Sequence, residues 1–330
     1  MTRAPEREAT MLNRRNILAM LGALALARPA LAQGLPGRTI RLVVPFAPGG
    51  NSDIVARKIA ERLGAHLGTG VVVENKSGGG GTVGTEEVTR ATPDGTTLLF
   101  HTAAVAIEAS LRRGLSYDVR RDLVPVTQIA ETPFAFMVNP GLPVTTIPEL
   151  IAYAKANPGR LNYGSSGTGS SVHLSLEYFR VKTGIEMTHV PYRGAAPSLV
   201  ALASNEVQLV LDTLSTSKPL AETGRARGIG VASAERSPIW PELPTVNESV
   251  PGYSVSIWHG IFAPRGTPPA TVAALNQALR TVMGAGDMQD WSRQLGFRIV
   301  TSEPEAFSGF FQRQIALWAD VVAKSGVTVD

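Results

Sequence analysis

Between Arg41 and Asp53 the chain reads Arg-Leu-Val-Val-Pro-Phe-Ala-Pro-Gly-Gly-Asn-Ser-Asp. An apolar run over residues 40–44 stops at two prolines, which cannot donate to a sheet ladder and restrict the residue before them. Gly49 and Gly50 allow a tight turn. Asn51, Ser52 and Asp53 are helix-capping types, and Val55, Ile59, Leu63 and Leu67 then fall at helical spacing. The stretch is therefore a strand, a glycine turn and a helix N-terminus. Amides at such an end lack intrahelical partners and the dipole there is positive, so the turn is a seat for an anion built without lysine or arginine. An ordinary strand-to-helix turn with no ligand is the plainer alternative.

Residues 161–173, Leu-Asn-Tyr-Gly-Ser-Ser-Gly-Thr-Gly-Ser-Ser-Val-His, repeat this grammar. Val172, Leu176 and Phe179 carry the helix that follows. Two such helix ends, about 115 residues apart in the chain, can face one another across a cleft and hold one ligand from both sides.

The rest of the chain alternates in the same way. Strands are expected at 71–74, 97–100, 134–138, 161–163, 188–191, 208–211 and 226–232. Helices are expected at 82–90, 103–111, 146–155, 170–183 and 197–204, the third opened by a Thr146/Glu149 capping box with Pro148 in its first turn. Alternation of this kind implies a doubly wound, mostly parallel sheet. The last third differs: an extended run at 254–263, a helix after Thr267-Pro268-Pro269, a short strand at 297–300, and a helix opened by a Ser302/Glu305 capping box. That last helix carries Phe307, Phe310, Phe311, Ile315, Trp318 and Val322 as a core-packing stripe.

The 330 residues have room for two domains, and 44% hydrophobic with 18% charged residues describes a globular chain. With no cysteine, disulfides, thiolate zinc sites and a cysteine nucleophile are excluded. Residues 1–32 read as a cleaved export signal. Arg14-Arg15 precedes an apolar run from Ile17 to Ala27, and Ala30-Leu31-Ala32 predicts cleavage between Ala32 and Gln33. Asn13-Arg14-Arg15-Asn16 resembles a twin-arginine signal; an ordinary secretory signal also fits. Its loss takes basic residues from 31 to 26 and acidic residues from 27 to 25, and net charge from +4 to +1. The basic balance thus gives no reason to expect a nucleic-acid partner.

Catalytic and cofactor patterns are weak. Gly79-x-Gly81-x-x-Gly84 matches a dinucleotide fingerprint in spacing only, since no acidic residue stands at the ribose position; it reads as a surface loop. Gly164-Ser165-Ser166-Gly167 lacks the second glycine of a nucleophile elbow. The five histidines show no metal-binding spacing, so no metal and no cofactor are expected. His173, in the first turn of a helix, is expected to be neutral and hydrogen-bonded, and His189 to be a structural residue at a strand end.

Taken together, Val43-Val44-Pro45-Phe46-Ala47-Pro48-Gly49-Gly50-Asn51-Ser52-Asp53, Val72-Val73-Glu74-Asn75, Tyr163-Gly164-Ser165-Ser166-Gly167-Thr168-Gly169-Ser170, His189-Val190-Pro191-Tyr192-Arg193-Gly194, Trp258-His259-Gly260 and Trp318-Ala319-Asp320-Val321-Val322 resemble the tripartite tricarboxylate transporter receptors, the TctC-like Bug family. The resemblance covers nearly all of the chain after residue 32. It implies an α/β, type II (Venus-flytrap) periplasmic binding protein: two doubly wound, mostly parallel domains with the ligand cleft between them. The expected division is 33–130 for the first part of domain I, 131–257 for domain II and 258–330 for the return to domain I.

The resemblance also implies a soluble, monomeric periplasmic receptor that captures a small organic mono-, di- or tricarboxylate. It would deliver that solute to a membrane permease or present it to a sensor-kinase ectodomain. Matching positions give Ala47, Gly49, Gly50, Asn51 and Ser52 on one wall and Ser165, Ser166, Thr168, Gly169 and Ser170 on the other. Asp212 and Thr213 fit a second-domain position facing the cleft, with a helix cap as the alternative role for Asp212. Thr102 is a further candidate. Where relatives often show Thr-His-Ala-Ile-Asn-Pro, this chain has Ala103, Val105, Ala106, Ile107, Glu108 and Ala109. The competing readings are an exported hydrolase using Ser165 or Ser166, for which the sequence offers no base beside either serine, and a carboxylate-sensing or scavenging protein without a permease.

Overall fold

The computed structural model describes residues 37–112 and 114–329. The export-signal reading of residues 1–32 lies outside them. In chain order the elements are β1 (Ile40–Val44), α1 (Asn51–Leu67), β2 (Val71–Asn75), α2 (Thr82–Thr89), β3 (Thr97–Thr102), α3 (Ala104–Leu111), α4 (Val119–Asp122), β4 (Leu123–Val138), α5 (Ile147–Ala156), β5 (Asn162–Ser165) and α6 (Ser171–Thr183). There follow β6 (Thr188–Pro191), α7 (Ala195–Ala203), β7 (Leu209–Thr213), α8 (Leu214–Glu222), β8 (Arg227–Val231), α9 (Val246–Ser249), β9 (Ser256–Pro264), α10 (Pro269–Gly284), α11 (Gly286–Leu295), β10 (Arg298–Ile299) and α12 (Pro304–Ser325).

The strands join in the order β2-β1-β3-β9-β4-β7-β5-β6, with β8 and β10 also paired to β4. Two parallel triplets sit at the ends, β2-β1-β3 and β6-β5-β7. They come from the strand–helix–strand alternation, because a strand that feeds a helix returns parallel to itself. The middle is antiparallel: β9 pairs with β3 and β4, and β4 pairs with β7 and β8. Strand β4 serves both halves. Leu123 to Pro133 pair with β9, and from Phe134 onward the partners are β7 and β8.

Only the end of β4, residues 134–138, was expected from sequence. The earlier part was hidden by Pro125 and Pro133, which argue against a central strand. Here they are accommodated where the ladder shifts register, between Pro125 and Thr127 and between Gln128 and Ala130, and where pairing with β9 ends. The Ser302/Glu305 capping box does not form. Pro304 takes the first helical turn of α12 and Glu303 becomes the N-cap, without a side-chain bond. Ser302 instead ties β4 to α10: its Oγ accepts from the Gln128 amide, and its carbonyl accepts from Thr127 Oγ1 and Asn276 Nδ2. The Thr146 cap does form, accepting from the Glu149 amide, while Glu149 reaches the Thr145 amide rather than that of Thr146.

Of the stripe expected on α12, Phe307, Phe311, Ile315 and Trp318 are each at most 2% exposed, and burial of such a side chain stabilises by about 1.5–3 kcal/mol. Phe310 and Val322 are only partly buried against the same core, and Val321 takes the fully buried place beside Val322. Trp258 of β9 meets Phe307, Phe310 and Phe311 edge-on at 5.5–6.2 Å. Gly260 is the close-approach point: a β-carbon there would lie 2.2 Å from Phe307 Cζ.

A cavity between the two halves of the sheet

A cavity of about 340 Å³ lies where the two halves of the sheet face one another, within the size range of small-molecule sites. One wall is Phe46, Gly80, Thr102, the α3 residues Ala104, Ile107, Glu108 and Leu111, and Arg112 just past the end of α3. The opposite wall is the turn from Ser166 to Val172. Phe134 and Ile257, from the strands β4 and β9 that run between the halves, also line it, as does Val329.

The Ser166–Val172 turn is held from beneath by a polar network. Ser165 at the end of β5 is fully buried and accepts from the Gly167 amide at 3.1 Å. Its Oγ lies 2.7 Å from His189 Nε2. His189 stacks face to face on His173, with ring centroids 3.8 Å apart. His173 Nδ1 accepts from the Gly169 amide at 3.0 Å, and Ser170 caps α6 by accepting from the His173 amide. Tyr163 stacks on His189 and donates to Glu177, which also pairs with Arg180.

The His173 end of this network requires a neutral imidazole. A proton on His173 Nδ1 would leave the Gly169 amide without its acceptor. Burial, reinforced by the neighbouring His189, pushes His173 down to about 4, and burial also lowers His189. The expectation for His173 is met. For the serines the sequence reading needs correcting, because Ser165 does have a base beside it. The two meet only through the parallel pairing of β5 and β6, which sets Tyr163 opposite His189 and is invisible in local sequence. Ser165 is nonetheless fully enclosed, and no carboxylate bonds His189 Nδ1 among the described residues.

Of the residues named from sequence, Thr102, Ser166, Thr168, Gly169 and Ser170 line the cavity. Ser165 supports the turn from behind. The Gly169 amide is spent on His173 and the Ser170 amide on the Gly167 carbonyl. The amides of Thr168, Ser171 and Val172 bond nothing among the described residues. The unspent amides thus lie a residue or two away from the glycine and serine that mark the turn in the sequence.

Ala47, Gly49, Gly50, Asn51 and Ser52 do not line the cavity; they continue the loop outward from Phe46, Ser52 half-buried and the others exposed. Gly49 has φ +81° and Gly50 is the N-cap of α1, with no side-chain bond to the helix end. Asp53, offered by sequence as a cap, is instead a brace. It is 3% exposed and accepts from the Gly49 amide, Arg57 Nε and Asn75 Nδ2. Burial would raise its pKa, but these three donors outweigh it and hold the carboxyl below the ordinary range. The first intrahelical bond of α1 is Ile54 to Gly50, so the Asn51 and Ser52 amides remain available at an exposed helix end.

Asp212 and Thr213 lie away from the cavity. Asp212 is 5% exposed and accepts from the Thr213 amide and Thr216 Oγ1 at the start of α8. It stands one residue before the N-cap, Thr213, and braces the entry to α8 without bonding a helical amide. Burial raises its pKa, and those two bonds only partly offset the effect.

Sequence reasoning did not place Glu108 or Arg112 at the cavity. Arg112 has no side-chain partner among the described residues, so the wall does contain a cation, contrary to the expectation of a site without one. The available signal was four-residue spacing, which puts Ile107 and Leu111 on one face of α3, with Arg112 four residues after Glu108 at the extended C-cap. The Gly79-x-Gly81-x-x-Gly84 stretch begins as the surface loop expected, Gly79 and Gly80 being exposed. Gly79–Gly81 is a tight turn with positive φ at each glycine, and Gly80 lies on the cavity wall under Arg112.

A second cavity, about 510 Å³, is lined by Glu131, Pro133, Arg236, Ser256, Arg298 and Phe310 among others. None of the residues named from sequence lies there. Its three arginines are already paired, Arg298 with Glu131 and Arg236 with Glu248, each at 2.9 Å, and Arg293 with Asp290. Among the described residues no group of His, Asp and Glu could hold a metal ion, and no helix is long and apolar enough to cross a membrane.

Comparison with known proteins agrees with this architecture. Residues 55–327 match the family model described as Tripartite tricarboxylate transporter family receptor. Protein BugT of Bordetella pertussis is 32% identical over 322 residues, covering 96% of this chain and 99% of BugT. Rpa4515 of R. palustris, solved with adipate, is 38% identical with a TM-score of 0.75, covering 89% of this chain and 99% of its own. MatC of Rhodopseudomonas palustris, solved with bound malate, is 32% identical with a TM-score of 0.72, covering 87% and 100%.

Proposed function

Because the chain belongs to the tripartite tricarboxylate transporter receptor family, we propose that it captures a small organic carboxylate outside the cytoplasm and hands it to a membrane permease. The observation that carries this reading is the Ser166–Val172 turn. It presents unspent amides and small hydroxyls to a cavity of ligand size, at the N-terminus of a thirteen-residue helix. A carboxylate supplies only acceptors, so a wall of donors is its natural complement. Similar proteins solved with adipate and malate support the same chemistry.

In this reading the site residues are Ser166, Thr168, Ser170 and Ser171 with the amides of Thr168, Ser171 and Val172, and Thr102 opposite. The exposed end of α1, at Asn51 and Ser52, joins them when the two halves close. The halves meet along β4 and β9, so the bend lies where β4 changes partners, between Pro133 and Phe134. This corresponds to a first domain of 33–130 and 258–330 and a second of 131–257. Ligand favours the closed form because only there do both walls touch it.

Each charge-assisted hydrogen bond contributes about 1.5–3 kcal/mol and a helix end roughly 0.3–1. Several together reach the roughly 8 kcal/mol of a micromolar complex after ordering costs. Binding on this account needs no general base, and the chain is a receptor rather than an enzyme. The Ser165–His189 pair is the one observation favouring a hydrolase, and Ser165 is enclosed. The test is a thermal-shift screen over mono-, di- and tricarboxylates. A binder raises the melting temperature by mass action, about 2.7 kcal/mol at a hundred times Kd. Failure of every carboxylate, or turnover of carboxylate esters lost in Ser165→Ala, would overturn the reading.

A further inference from the structure

Among the described residues that line the cavity, Glu108 and Arg112 are ionisable, and they differ in what they can reach. Glu108 is 3% exposed, accepts from Tyr117 at 3.2 Å and lies 3.4 Å from His101 Nε2, so its carboxyl belongs to the packing behind the wall. Arg112 is half-buried at the extended C-cap of α3. Its guanidinium bonds neither a carboxylate nor a helix-end carbonyl among the described residues. The end of the side chain, and not only its stem, reaches the cavity. Its Nη2 lies over Gly80, itself a lining residue, where a β-carbon would come within 2.6 Å of it. Gly80 has φ +71°, so the turn beneath the guanidinium favours glycine both for its conformation and for the room it leaves.

A guanidinium presents five donors and no acceptor, in a planar fork that matches a carboxylate. Partial burial strips some of its water, and nothing offsets that loss until an anion meets it. The half-buried Arg41 and Arg180 show the usual solution, paired with Glu74 and Glu87 and with Glu177. Arg112 stands instead as an open cation on a wall otherwise formed largely by Phe46, Ile107 and Leu111, across the cavity from the Ser166–Val172 turn. That turn already offers amides and hydroxyls enough for one carboxylate, so the charge on Arg112 is left for a second group.

We propose that Arg112 is a specificity-determining residue and that the solute carries a second carboxylate at the far end of a short apolar chain. One carboxylate lies on the amides of the Ser166–Val172 turn, and the other accepts from the Arg112 guanidinium. The inference rests on the carboxylate-receptor reading and narrows it. A monocarboxylate of the same length would leave Arg112 without its anion and bring apolar surface against a charge. A solute with an ammonium at its far end would set like charge against like. A second carboxylate supplies the acceptors that the fork lacks, and the Phe46, Ile107 and Leu111 side chains suit the carbon chain between the two heads.

The test is calorimetric titration of the full chain with diacids and their monoamides, which match in length and shape and differ in one charge: succinate with succinamate, glutarate with glutaramate, and adipate with adipamate. At the chain length that binds most tightly, the diacid should bind at least about tenfold more tightly than its monoamide, a difference of roughly 1.4 kcal/mol. That margin should shrink as salt is raised. In Arg112→Gln the diacid should weaken to the level of the monoamide, while the monoamide binds as it does to wild type; Arg112→Lys should keep part of the margin. Monoamides that bind wild type as tightly as their diacids would overturn the proposal while leaving the receptor reading intact. Equal weakening of both members in Arg112→Gln would make Arg112 a structural residue and overturn its role, as would a margin that persists undiminished in that folded variant. If no carboxylate of any kind binds, the receptor reading fails and the proposal with it. The wild-type pairs decide the solute class even if neither variant folds.

Discussion

At the scale of single residues, two buried histidines are held uncharged, one of them beneath the candidate site. His173 and His259 are both pushed down to about 4 by burial, aided by His189 and His101 respectively. The ordinary histidine value is 6.5. Between those values the unfolded chain binds protons that the folded chain refuses, so stability falls as pH drops through that window and is fully present above it. Each group should account for about 2–3 kcal/mol lost between pH 7 and pH 4.5. Denaturant titrations at the two pH values check this, and His173→Gln, which removes one of the titrating groups, should flatten the difference.

Gly49 and Gly50 separate two roles that look alike in sequence. Gly49 has φ +81°, which only glycine adopts readily. Gly50 has φ −76°, and a β-carbon there would meet only Ala47 O at 3.6 Å. Gly50→Val should therefore fold with near-normal stability while obstructing the approach of an anion to the end of α1. Calorimetry should show carboxylate affinity down by about tenfold or more; unchanged affinity would remove that helix end from the site.

At the scale of elements, legibility followed locality. The turns after β1 and β5 were readable because proline, glycine and small polar residues have fixed conformational meaning over a few positions. The Thr146 cap and the α12 stripe were readable for the same reason. The Ser165–His189 contact, the brace at Asp53 and the burial of Glu108 beside Tyr117 and His101 were not, since each depends on which strand or helix lies alongside. Strand β4 was half-hidden because its prolines obey a rule for regular ladders and it contains irregular ones. The Gly260 contact with Phe307 belongs to this class and is directly testable. Gly260→Ala places a methyl 2.2 Å from a buried ring carbon, so it should cost about 1–3 kcal/mol by overpacking, read as a lower denaturation midpoint with an unchanged m-value.

At the scale of the whole molecule, two parallel triplets are joined through antiparallel strands, and a cavity sits where the triplets face one another. This arrangement lets one sheet act as two walls, because β4 and β9 are long enough to belong to both sides. The turn after β5 already faces the cavity; the turn after β1 touches it only through Phe46, and residues 47–52 stand clear. Closure would bring the second onto the first, and a bound solute would supply the free energy for that movement only through contacts made in the closed form.

The most direct measurement is a crystal structure with the bound carboxylate identified by the titrations. The account predicts solute oxygens within hydrogen-bond distance of the Thr168, Ser171 or Val172 amides, with the end of α1 closed over them. A solute seated instead in the cavity beside Glu131 and Arg298, or held chiefly by a metal ion, would contradict it.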